Sequence, residues 1–361
     1  MLMKPFQRAF RIFRSGEPED WQKVLGFIVV WGVAVVFALS RITVSSAHKP
    51  PIWTLPDYDL KHGYTYSLIL LFLPLVALIC WYQLAKRSET DRRLQTLVRQ
   101  VLWNALLTAF IFVAFDALFA TILFDFPDTR AGLGVNFWGY TWTGSCSTFW
   151  TVLVPSCYER TIPIEEIFFY LGGVGVLRGM YIWASEDFLS LYTMKHEDYV
   201  KDAKAVNRLL SFNWKVATLL FAILAAGVYA KQKSGGGYPL YLMLQILIVT
   251  TPLIFLYTRV RPFINTRALL MVMVLQVLVS EIWEVTTAVP YGWWQYKPEG
   301  MIGAWVPPWS NLPIEACFFW IAVGWSAMFV HEATKIKVRS GRSWREILFG
   351  ARVGQPVLVT D

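Results

Sequence analysis

Long apolar runs separated by short polar connections dominate the chain. A helix that crosses a bilayer needs roughly 20 mostly apolar residues, and about eight runs meet that requirement. They lie near Val24–Leu39, Tyr66–Leu84, Val101–Phe124, Pro163–Trp183, Val216–Ala230, Pro239–Tyr257, Ala268–Val289 and Leu312–Val330. The fourth is the least uniform, because it holds two Glu, several Gly and Arg178. A β-barrel is disfavoured, since its strands alternate polar and apolar over about ten residues. The pattern predicts an all-α integral membrane protein.

Composition agrees. The 361 residues are 56% hydrophobic and 16% charged, against about 45–50% and about 25% in soluble domains. That excludes a soluble enzyme, a disordered protein and a disulfide-stapled secreted module. Lys and Arg cluster before the first run, in the even-numbered connections and after the last run, and the other connections are poor in them. Cationic loops stay cytoplasmic, so both termini are expected in the cytoplasm. The net charge of +8 then reports orientation, and no nucleic-acid partner is expected. Cys80 and Cys317 fall within runs as small apolar fillers. Cys146 and Cys157 share the third, non-cytoplasmic connection, where an oxidising compartment would allow a disulfide. No Cys/His spacing resembles a zinc site.

Two segments repeat. Thr161-Ile162-Pro163-Ile164-Glu165-Glu166 followed by Ile167-Phe168-Phe169-Tyr170 opens the fourth run, and Asn311-Leu312-Pro313-Ile314-Glu315-Ala316 followed by Cys317-Phe318-Phe319-Trp320 opens the eighth. Pro74-Leu75 and Pro252-Leu253 match in the second and sixth runs, and Asp116 and Glu284 match in the third and seventh. The unit is four spans, an even number, so the two halves are parallel repeats. The expected division is residues 1–183 for the first four-span repeat, 184–214 for a cytoplasmic connector, 215–333 for the second repeat and 334–361 for a basic tail.

A Pro-x-Glu helix start has an ordinary structural explanation. Proline lacks a donor that the first turn leaves unpaired, and Glu suits the positive helix end. Two equivalent instances, each running into aromatic residues, point further. Charges at membrane depth are costly and usually face a functional interior. By the expected topology Asp116, Glu165, Glu166, Glu281, Glu284 and Glu315 all lie in the non-cytoplasmic half, so they are expected to converge on one pocket. Carboxyl groups crowded away from water hold some protons near neutrality, so one can act as acid and an ionised neighbour as base. Trp283, Trp293, Trp294, Tyr296, Phe169, Tyr170, Phe319 and Trp320 are the expected substrate-binding walls. Aromatic faces attract cations, which suits protonation of an alkene and shielding of the carbocation. An interfacial aromatic belt accounts for many of the loop Trp residues.

Several chemistries lack their motifs. Gly172-Gly173-Val174-Gly175 misses the dinucleotide spacing, and there is no P-loop, HExxH or aspartate-rich magnesium motif. No span shows a lysine deep enough for a retinal Schiff base. No cofactor and no metal are therefore expected. His331 and Glu332, near the end of the last run, read as a solvated face.

The doubled arrangement resembles the small membrane lycopene β-cyclases of the heterodimeric or fused type. One half is carried by Trp283-Glu284, Gly292-Trp293-Trp294-Gln295-Tyr296, Gly303 and Pro313-Ile314-Glu315. The other is carried by Phe115-Asp116, Asp125-Phe126-Pro127, Gly132 and Pro163-Ile164-Glu165-Glu166. Ala316 stands where that family usually has a second Glu. The resemblance implies a redox-neutral cyclase of a hydrophobic polyene, dependent on membrane lipid and on no cofactor. Glu165 and Glu315 are the expected acid/base pair, with Glu166, Asp116 and Glu284 beside them. A cyclase or hydratase of another terpenoid remains open, as do a proton-coupled transporter and a carotenoid-binding protein.

Overall fold

The computed structural model describes residues 62–70, 92–127, 131–142, 144–146, 153–194 and 208–349. The expected first span and most of the second lie outside them, as does Cys80. Helix α1 covers 63–70. It is followed by α2 (Arg92–Leu123), α3 (Glu165–Glu186), α4 (Trp214–Ser234), α5 (Leu240–Phe263), α6 (Thr266–Ala288), α7 (Ile314–Ser340) and α8 (Trp344–Phe349). Among the described residues, six helices are long and apolar enough to cross a membrane, and they occupy the third to eighth expected runs. Two of them outrun their hydrophobic stretches: α2 begins at Arg92 and α7 continues to Ser340.

Local chemistry sets the breaks. Asn213 and Asn265 cap α4 and α6 by accepting from Val216 N and Ala268 N, both at 3.1 Å. Gly341 takes the left-handed conformation that ends α7. Within α5 a π-turn at Gln245–Val249 precedes Pro252, whose ring removes a donor and crowds the preceding turn. A second π-turn, Glu284–Ala288, widens the end of α6 just where an acidic side chain must turn inward.

Three short antiparallel pairs close one end of the bundle. Strand β2 (Asn136–Tyr140) pairs with β3 (Tyr158–Pro163), which leads into α3, and β5 (Trp305–Val306) pairs with β6 (Leu312–Pro313), which leads into α7. Strand β1 (Phe124–Asp125) pairs with β4 (Gln295–Tyr296), so the extension of α2 is stitched to the α6–α7 connection. Lys297 reinforces that stitch, with Nζ 2.6 Å from Thr121 O and 3.0 Å from Asp125. Cys146 and Cys157 form a disulfide inside the longer connection, around buried Tyr140. Cys317 is free. An aromatic cluster of Tyr64, Phe112, Phe169, Tyr170, Trp293, Trp294 and Trp320 fills the centre, where α1, α2, α3 and α7 meet the α6–α7 connection.

The opposite end of the bundle corrects one expectation. His331 and Glu332 are not a solvated face: both are buried, together with Lys335. Tyr181 of α3 donates to Glu332 at 2.7 Å, and Lys335 lies 2.6 Å from Glu186 and 3.8 Å from Glu332. Arg339 adds a second pair to Glu186 at 2.8 Å. The helix continues past its apolar run because α3 supplies opposite charge and a hydroxyl there, and a buried charge needs such partners.

Candidate functional site

The two Pro-Ile-Glu starts are built alike. In each, the residue after proline bonds back to the preceding loop, Ile164 N to Val135 O at 2.9 Å and Ile314 N to Ala304 O at 3.1 Å. In each, the first Glu folds back to accept a loop amide. Glu165 accepts from Leu133 N at 2.7 Å and from Thr65 Oγ at 2.8 Å. Glu315 accepts from Ile302 N. The loop must come very close to the first carboxylate, and Gly132 permits it: a Cβ there would lie 2.7 Å from Glu165 Oε2. Glu165 and Glu315 thus tie loop to helix, as acceptors of backbone N–H groups that burial would otherwise leave unpaired.

The next position on α3 points elsewhere. Glu166 lines a small chamber of about 40 Å³ together with Glu284 of α6, Phe169, Tyr170, Trp294, Tyr296, Phe319 and Trp320. Eight of the residues expected at the site therefore share one space. Glu165 and Glu315 do not line it. Glu166 and Glu284 do; on α3 consecutive positions face about 100° apart, and Glu165 is bonded to the loop.

Each acid has its own donors. Tyr64 OH donates to Glu166 Oε1 at 2.7 Å. Glu284 accepts three hydrogen bonds, from Trp320 Nε1 at 3.0 Å, from Trp294 Nε1 at 3.3 Å and from Tyr296 OH. Indole N–H groups can only donate, so this shell suits an acceptor-only, ionised carboxylate. Burial, then the Glu284 carboxylate beside it, holds the Tyr296 phenol well above the ordinary tyrosine range, which keeps it a donor. Asp116 stands behind Tyr170, whose hydroxyl donates to it at 3.0 Å, and its Oδ2 is buried without a partner.

The remaining expected residues surround the chamber. Trp283 lines a second space beyond it, and Trp293 stacks on Tyr64 with ring centroids 5.4 Å apart. Glu281 lies one helical turn before Glu284, outside the chamber. Tyr64, Tyr241 and Phe124 are not singled out by the sequence, and Phe115 and Phe126 enter there only as motif residues; all five are at the chamber or bonded to its acids. The hydroxyl of Tyr64, next to an apolar run and a polar loop, was the available signal.

The second space is an apolar slot of about 430 Å³ between α1, α2, α3, α6 and α7. Phe169, Tyr170, Phe319 and Trp320 line both slot and chamber, so these four rings form their common wall. The arrangement places an apolar slot against a chamber that holds two carboxyl groups among aromatic side chains. Among the described residues no cluster of His, Cys, Asp and Glu is arranged to hold a metal ion. No family model, curated protein or solved structure matches the chain.

Proposed function

We propose that the protein is an integral-membrane isoprenoid cyclase, similar in chemistry to the lycopene β-cyclases whose motifs it resembles. The pairing of Glu166 and Glu284 in one aromatic-walled chamber at the end of an apolar slot carries this reading. Glu166 gives its proton to a trisubstituted alkene of a polyene, a terminal one in the lycopene-like case. The π pair forms the new C–H bond and leaves a tertiary cation. An internal double bond attacks that cation and closes the ring, and Glu284 takes a proton from the carbon beside the new cation. One proton enters and one leaves, so the product is an isomer and no oxidant or reductant takes part. The rings of Phe169, Phe319 and Trp320 stabilise the cation through their π faces. Asp116 orients Tyr170.

The same reading takes the chain as eight spans in two parallel four-span halves, 1–183 and 215–333, with a connector at 184–214, a tail at 334–361 and both termini cytoplasmic. The matched loop-to-helix bonds at the two Pro-Ile-Glu starts support the repeat. The Cys146–Cys157 disulfide suits an oxidising, non-cytoplasmic third connection.

The test uses the full chain in detergent with lycopene in D₂O and no flavin. The expected result is a cyclic isomer carrying deuterium. Recovery of intact substrate across a broad panel of polyenes would overturn the proposal.

A further inference from the structure

A third space adjoins the chamber. Beyond the chamber, at the end closed by the strand pairs, lies a basin of about 1660 Å³. Phe124, Phe126 and Tyr296 line both basin and chamber and form their common wall. A wholly apolar polyene uses the slot and the chamber and has no need of the basin. The basin has different walls: Trp142, Trp305 and Tyr296 contribute aromatic rings, and Asn136, Glu159 and Glu299 contribute hydrogen-bonding oxygens. Its acids Asp125, Glu159 and Glu299 nearly cancel its bases Arg160 and Lys297. Lys297 is paired with Asp125, and Arg160 lies over the Trp138 ring at 5.1 Å. Such walls suit a neutral hydroxylated ring, which stacks on indole and donates to carboxylates, better than an anionic diphosphate.

Resting on the cyclase reading, we propose that the substrate is an isoprenoid chain headed by a neutral phenolic ring. The tail fills the slot, the ring occupies the basin, and the alkene nearest the ring lies in the chamber. Glu166 adds its proton to the alkene carbon nearer the ring, so the π bond breaks and a tertiary cation forms on the methyl-bearing carbon. The oxygen of the adjacent ring hydroxyl attacks that cation. The new C–O bond closes a six-membered cyclic ether, and the hydroxyl proton passes to Glu284. The product is again an isomer of the substrate.

Three probes separate the possibilities: geranylgeranyl hydroquinone, its dimethyl ether and lycopene, each incubated with the full-length protein in D₂O. The expected result is a cyclic ether carrying one deuterium from the hydroquinone and no ether from the dimethyl compound. Glu159 and Glu299 are exposed, so Glu159→Ala and Glu299→Ala are compatible with folding. Each should raise KM for the hydroquinone about tenfold, as expected for loss of a hydrogen bond to a charged group. Conversion of lycopene without conversion of the hydroquinone would overturn the phenolic head and leave the cyclase reading standing. An unchanged KM in both variants would overturn placement of the head in the basin. Failure to convert any of the three probes would overturn this proposal together with the reading beneath it.

Discussion

The helices that begin with Pro-Ile-Glu are alike for one turn and then part. At Glu165 and Glu315 both halves give a carboxylate to a loop amide. One residue later the first half has Glu166 in the chamber, and the second has Ala316, fully buried against Val285, Val289 and Leu312. The preceding helices differ in the opposite sense: Glu284 of α6 enters the chamber, whereas Asp116 of α2 stands behind Tyr170. One acid of the chamber thus comes from the start of a helix and the other from the end of one. The two Pro-Ile-Glu starts share a joint, and the chamber divides its acids between α3 and α6.

The largest effects should come from breaking that division. Glu166→Gln and Glu284→Gln should each lower turnover about 10²–10⁴-fold, the usual contribution of general acid–base catalysis. Glu165→Gln keeps an acceptor for Leu133 N and should fall far less. Rates measured on folded protein decide this, and a larger loss for Glu165→Gln than for Glu166→Gln would reverse the assignment. Making the halves equal should be costly for stability. Ala316→Glu places a carboxyl among apolar side chains, so unfolding in detergent should show a loss of roughly 2–7 kcal/mol.

The shared joint predicts a smaller loss. Glu165→Ala leaves Leu133 N and the Thr65 hydroxyl without their acceptor, at about 1–3 kcal/mol. Glu315→Ala removes one amide's acceptor and should cost less, and unfolding midpoints of the two variants test the order. The smallest effect concerns pH. Because burial and Glu284 hold the Tyr296 phenol above its ordinary range, it stays protonated as pH rises toward 10. Tyr296→Phe should therefore slow turnover only about 2–10-fold, the worth of one hydrogen bond. It should leave the alkaline limb of the pH–rate profile where it was. Disappearance of that limb in the variant would show Tyr296 to be the titrating group.

The six long apolar helices were legible because hydrophobic length alone marks a helix able to cross a bilayer. The gathering of acids was legible for a related reason: residues at one depth of a bundle have few places to go. What the pattern did not resolve was which of two adjacent glutamates looks inward. That depends on where Leu133 N arrives, and the amide reaches Glu165 through a loop 32 residues upstream whose course hydropathy does not encode. Ala316 was visible as a departure from the repeat, and the structure gives it meaning as a packing residue. The burial of His331, Glu332 and Lys335 was missed for a similar reason. Their polarity reads as solvent exposure until Glu186 and Tyr181, some 150 residues earlier, are brought alongside.

That charged cluster bears on how the chain is put together. Helix α7 has 27 residues, which makes it about 40 Å long at 1.5 Å per residue, against a hydrocarbon core of about 30 Å. Its last turns hold the cations that Glu186 requires, and α3 is synthesised well before them. Until α7 arrives, Glu186 lacks Lys335 and Arg339, the cations that pair with it here, and any α7 displaced by a turn would bring Lys335 to the wrong level. The ion pairs therefore favour one docking of α7 on α3, and because α7 also lines the chamber at its other end, that register fixes where Phe319 and Trp320 stand.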